Sequence, residues 1–251
     1  MIKRLAIALT ALLLAGPALA APPPAQCQTV QHLLEHIFPL PHTARAIAAQ
    51  KLNVLVVGSG SSTLRGSNGA AMAYPARLQK ALAEVLPGVA VKVATDVKAR
   101  RTAAVMVRSM KAALAASKPA LVIWQTGTVD AMQAVDPDQF SDTLEEGIVI
   151  ARTAGADVIL VNAQYSPRTE SMIALGTYAE DMRWVALQHD VPLFNRFEIM
   201  RAWADLGTFD FTSARDKLAV AGRIHACIGW LLADLVTEAV KPDEPQTEGA
   251  R

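Results

Sequence analysis

Five short runs of β-branched and aliphatic residues, each separated from the next by an amphipathic stretch, constrain this chain more than any other feature. The runs are 53–57 (NVLVV), 89–94 (VAVKVA), 121–125 (LVIWQ), 157–161 (DVILV) and 191–194 (VPLF). Between them, apolar residues recur at helical spacing over about 72–86, 102–117, 138–154 and 170–189, and a last helix is predicted over about 216–240. Runs that are apolar at nearly every position suit strands buried on both faces, as in a parallel sheet covered by helices. Parallel neighbours also need long crossover connections, which the intervening helices supply. The expectation is therefore an α/β fold of three layers around a five-stranded parallel sheet, over residues 51–240, with no internal repeat and no second domain. Ligands of such folds bind beyond the carboxyl ends of the strands. Loops 58–69, 95–101, 126–136, 162–170 and 195–215 are thus where chemistry is to be sought.

The first residues read differently. In MIKRLAIALTALLLAGPALAAPPP, Lys3 and Arg4 precede the apolar run Leu5 to Leu14, and Ala18-Leu19-Ala20 supplies small residues at cleavage spacing. This is the pattern of a secretory signal peptide, and the run is too short for a bilayer span. No later segment reads as a span, so the expectation is a periplasmic or secreted protein without stable membrane insertion. With residues 1–20 removed, two cations go with them, leaving 22 Lys and Arg against 23 Asp and Glu. A near-neutral chain offers no electrostatic reason to bind nucleic acid. Residues 21–26 read as a leader, 28–37 (QTVQHLLEHI) as a helix within an N-terminal segment 21–50, and 241–251 as a frayed tail. In an oxidising compartment, the two cysteines, Cys27 and Cys227, are expected to form a disulfide.

The stretch VVGSGSSTL, Val56 to Leu64, places Ser59, Ser61 and Ser62 directly beyond the first strand. It is neither a dinucleotide fingerprint nor a P-loop, since no Gly-Lys-Ser/Thr follows. No cluster of Cys, His, Asp and Glu has the spacing of metal ligands, so no metal or other cofactor is expected. Tyr74-Pro75-Ala76-Arg77-Leu78 opens the next helix, Gly127-Thr128-Val129-Asp130 follows the third strand, and Asp216 precedes the last helix.

In their order and spacing these blocks resemble the SGNH/GDSL hydrolase superfamily over roughly residues 50–240. The resemblance implies a flavodoxin-like fold and hydrolysis of ester or O-acetyl bonds, with a small-molecule or glycan ester as substrate. It makes Ser61 the nucleophile, with Ser59 and Ser62 as alternatives allowed by the flanking glycines, and sets Gly60, a candidate oxyanion or substrate-binding residue, where the family has Asp. The loop Thr95 to Thr102 lacks the family's oxyanion glycine and instead carries Lys98, Arg100 and Arg101, of which Arg100 is the candidate for binding an anionic group. Gly127 and Thr128 keep the frame of the second oxyanion motif, but Val129 stands where that motif has Asn. Asp216 fills the position of the orienting Asp, and Ala219 stands where the family has its basic His. His225, six residues further on, is the remaining candidate base; His32, His36, His42 and His189 have no clear place in the scheme. Asn162 to Arg168 is expected on the same rim.

A serine hydroxyl needs an imidazole to take its proton, and the imidazole needs an orienting carboxylate. The sequence therefore leaves two readings: an exported ester hydrolase with a rearranged base, or a catalytically lapsed relative that binds a glycan, lipid or protein in the old crevice.

Overall fold

The computed structural model describes residues 25–28, 30–34, 37–212 and 216–241. The signal segment, the leader to residue 24, His36, residues 213–215 and the tail from 242 lie outside the described residues.

Among the described residues there are five strands: β1 (Lys51–Gly58), β2 (Ala90–Val97), β3 (Leu121–Gln125), β4 (Asp157–Val161) and β5 (Leu193–Phe194). They form one sheet in the order β2-β1-β3-β4-β5, every pair parallel. All five residues of β3 and of β4 are buried, in keeping with their unbroken apolar pattern. β5 is shorter than its run, because Pro192 has no N–H to give the ladder and only its carbonyl pairs, with Leu160 N–H.

The helices are α1 (Ala25–Gln28), α2 (Pro41–Ala48), α3 (Gly69–Met72), α4 (Tyr74–Val85), α5 (Ala103–Ser117), α6 (Thr128–Met132), α7 (Pro137–Thr153), α8 (Pro167–Glu170), α9 (Leu175–Gln188), α10 (Arg196–Asp205) and α11 (Lys217–Ala239). The strand order reverses direction after β2. Right-handed crossovers then put α4 on one face and α5, α7 and α9 on the other. The packing agrees, with α4 against α11 on one side and α5 against α7 against α9 on the other. This is the expected three-layer α/β architecture.

Two glycines let the layers close. A Cβ at Gly147 of α7 would lie 2.3 Å from the ring of Trp124, and one at Gly229 of α11 would lie 2.8 Å from Leu78 N of α4. The second contact brings the α4 and α11 backbones together, which matters for the site.

Three expectations need correction. The helix predicted over 28–37 is not continuous: its described part is the end of α1 and a single 3-10 turn, Gln31–Leu33. Segment 195–215 is not all loop, because it holds α10. Finally, α11, at 23 residues, is by length and composition apolar enough to cross a membrane, contrary to the reading that no later segment is. Its buried residues, Ile228, Leu231, Leu232, Leu235 and Val236 among them, belong to the core. A helix that is the shared wall of a core is apolar for that reason. The Cys27–Cys227 disulfide is present and ties α1 to the middle of α11.

Candidate active-site cleft

β1 ends at Gly58, and the chain turns at once into a 3-10 turn, Gly60–Ser62. Gly58 has no room for a side chain, since a Cβ would meet Ser62 Oγ at 2.3 Å. The turn is organised by Gln125, the last residue of β3 and fully buried. Its Oε1 accepts from Ser59 N (3.2 Å), Ser59 Oγ (3.1 Å), Ser61 Oγ (2.9 Å) and Ser62 Oγ (2.9 Å). A backbone N–H can only donate, so the amide atom facing Ser59 N must be the oxygen. All three serine hydroxyls therefore converge on a neutral carbonyl. Tyr74 OH completes the network 3.0 Å from Ser62 Oγ. Ser62 is buried, which leaves Ser61 as the hydroxyl of this turn that borders open space.

That space is a cleft of about 760 Å³ beyond the carboxyl ends of the strands. Gly60 and Ser61 form part of its floor; Gln164, Tyr165 and Ser166 come from the loop after β4, Arg196 and Met200 from α10, and Ile224 and His225 from α11. The loop after β4 thus lies on the expected rim.

His225 lies in this cleft with its ring held by α4. Its Nδ1 accepts the Tyr74 backbone N–H at 2.9 Å, a contact made possible by the close approach of α4 and α11. Because that N–H can only donate, Nδ1 carries no proton and the neutral ring holds its hydrogen on Nε2. Burial, and after it the Arg196 guanidinium, lowers the His225 pKa to about 3. In a working triad Nδ1–H donates to a carboxylate and Nε2 accepts from serine. Here the donor and acceptor ends of the ring are reversed.

Asp216 does not orient it. It sits exposed at the start of α11 in the left-handed region (φ 53°), with no hydrogen bond from its side chain to the helix end and none to His225. Gly127 and Thr128 are buried and do not line the cleft. A Cβ on Gly127 would touch Met182, and the Thr128 hydroxyl has no partner. The adjacent Asp130 instead fastens the turn, accepting Ala103 N (2.8 Å), Thr126 Oγ1 (3.1 Å) and Gly127 N (3.2 Å). Burial raises its pKa against the pull of those bonds.

The basic loop after β2 also needs correction. Lys98 and Arg100 are exposed and outside the cleft, Arg100 with φ 63°. Arg101 is buried, pairs with Asp96 at 2.8 Å and donates to Gly58 O at 3.0 Å, which fixes the end of β1.

The residue that sequence reasoning missed is Arg196, the first residue of α10. It is 1% exposed and donates from Nη1 to Ser61 O (3.1 Å) and from Nη2 to Gln164 Oε1 (3.4 Å). Its Nε has no partner among the described residues, and its guanidinium carbon lies 5.9 Å from the Tyr74 ring centroid. No carboxylate among the described residues reaches it, and burial lowers its pKa to about 10. A signal was present in the sequence: Asn195 and Glu198 have the spacing of a helix start, and Asn195 Oδ1 does accept Glu198 N.

The chain is similar to known proteins in sequence pattern and in fold. The model of the Non-GDSL lipase-like family matches residues 26–242. No curated protein sequence matches the chain. Among solved structures, TesA is 25% identical, with a TM-score of 0.56, over 72% of this chain and 99% of its own. A lipase/acylhydrolase from Enterococcus faecalis is 17% identical, with a TM-score of 0.59, over 77% of this chain and 100% of its own. A catalytic mutant of the acetylxylan esterase Axe2 from Geobacillus stearothermophilus is 16% identical, with a TM-score of 0.59, over 74% and 94%. The last two likenesses are likenesses of fold.

Proposed function

We propose that this chain, which belongs to the Non-GDSL lipase-like family within the SGNH/GDSL-like hydrolases, is an exported binding protein whose cleft holds a ligand without turning it over through a serine triad. The observation that carries the reading is the hydrogen bond from Tyr74 N–H to His225 Nδ1. It leaves the imidazole with a proton where a base needs a lone pair. Ser61 correspondingly gives its hydrogen to Gln125, an amide oxygen too weakly basic to activate it. The pattern of residues 1–20 and the Cys27–Cys227 disulfide support export.

The test is a fluorophosphonate label and p-nitrophenyl butyrate hydrolysis on the mature chain, with Ser61→Ala as control. The expected outcome is no labelled serine and equal background rates. Labelling of Ser61, or a rate that falls about a hundredfold or more in the variant, overturns the reading. One observation favours a second reading, residual ester hydrolysis: Ser61 does border the cleft, beside the buried Arg196 cation. The same assay decides between them.

A further inference from the structure

We propose that the ligand of this cleft is a carboxylate bearing a short apolar chain, with its carboxylate held by Arg196. The proposal rests on the binding reading above and names the chemistry of what is bound.

A guanidinium removed from water is costly unless an anion accompanies it. Arg196 is almost wholly buried, yet its protein partners are two neutral carbonyl oxygens, Ser61 O and Gln164 Oε1. Among the described residues its Nε–H meets nothing, and no carboxylate supplies the counter-charge. Arg101 differs in its counter-charge: its Nε is likewise unpartnered, but that buried guanidinium has Asp96 at 2.8 Å and lies away from the cleft. Arg196 is the buried cation that borders open space.

The surrounding charges point the same way. Among the described residues, Arg65 and Lys217 line the cleft with Arg196, and Asp210, which accepts from Thr212 N and Oγ1 among its contacts, is the carboxylate that joins them. The whole chain carries a formal charge of only +1, so the local excess of cations is a property of this site. His225 adds a neutral Nε2–H donor, since its Nδ1 is taken by Tyr74 N–H. Met200, Phe211, Leu218 and Ile224 give the rest of the wall an apolar character suited to a hydrocarbon chain. One buried guanidinium matches one monoanion, and the fork of its N–H groups matches a carboxylate.

Calorimetric titration of the mature chain with hexanoate and with hexanamide tests this, because the two differ in charge and hardly in shape. Hexanoate is expected to bind about tenfold or more tightly than hexanamide at low ionic strength. In Arg196→Gln the ratio is expected to fall to about twofold or less, while Lys80→Gln, on the solvent face of α4, leaves it unchanged. Equal binding of the two compounds, binding of neither, or an undiminished preference in Arg196→Gln overturns the proposal. If Arg196→Gln does not fold, the wild-type ratio decides together with Lys217→Gln, which is expected to narrow the ratio by about twofold; no narrowing there, or no preference in the wild type, overturns it. Ser61-dependent ester turnover with the hexanoate preference intact would sink the non-catalytic reading alone. No turnover and no preference would sink this inference alone.

Discussion

Two buried charges lie beyond the carboxyl ends of β3 and β5, strands separated in the sheet by β4, and the protein treats them in opposite ways. Asp130, past β3, is surrounded by donors: a backbone N–H from α5, a threonine hydroxyl and the Gly127 N–H. Arg196, past β5, has two neutral acceptors and an unpartnered Nε. The first arrangement is complete without any other molecule; the second is not. The turn after β3 is closed by its own hydrogen bonds, while the serine turn, Gly60–Ser62, gathers its hydroxyls on Gln125 and lies beside a cleft.

The contrast can be broken experimentally. Asp130→Ala removes the acceptor from three buried donors and is expected to cost about 4 kcal/mol in urea unfolding; a cost under about 1 kcal/mol would show that the turn is not what holds α5 to β3. A pH series probes the cleft side. The folded pKa of His225 lies near 3, below its ordinary 6.5, so on acidification the unfolded chain takes the proton first. The stability from keeping the ring neutral is fully present above pH 6.5 and is lost as pH falls towards 3, by about 3 kcal/mol at pH 4. His225→Asn, which keeps an acceptor for Tyr74 N–H and does not titrate, is expected to flatten that part of the curve; an unchanged slope would refute the assignment. Gln125→Leu leaves Ser59 N–H and three hydroxyls without their acceptor and is expected to cost about 2 kcal/mol. Smallest of all, Ser61→Ala is expected to change stability by less than about 1 kcal/mol, and a larger loss would mean that Ser61, rather than Ser62, pins the turn.

The layered fold was legible because buried parallel strands leave an unmistakable apolar signature: β3 and β4 begin and end where their runs do. Less of the site could be read. The position of Ser61 at the tip of β1 followed from the Gly/Ser turn, but the proton on His225 did not. Tyr74 and His225 are 151 residues apart, and their contact depends on Gly229 allowing α11 to close on α4. Arg196 escaped because α10 is short and follows a two-residue strand, so its periodic pattern was lost in what looked like a long loop. The segment 28–37 erred in the other direction: its apolar spacing was helical, but Cys27 is drawn to α11 and the chain beyond it turns instead.

The Cys27–Cys227 bond has a consequence for where this protein can be made. It rivets the first described helix to the centre of the longest and greasiest one, across 200 residues of sequence. In a reducing cell that rivet is missing, and a 23-residue apolar rod has one fewer tie to its own core. A chain folded there forgoes the loop-closure contribution of that bond, roughly 3–5 kcal/mol on the chain-entropy model.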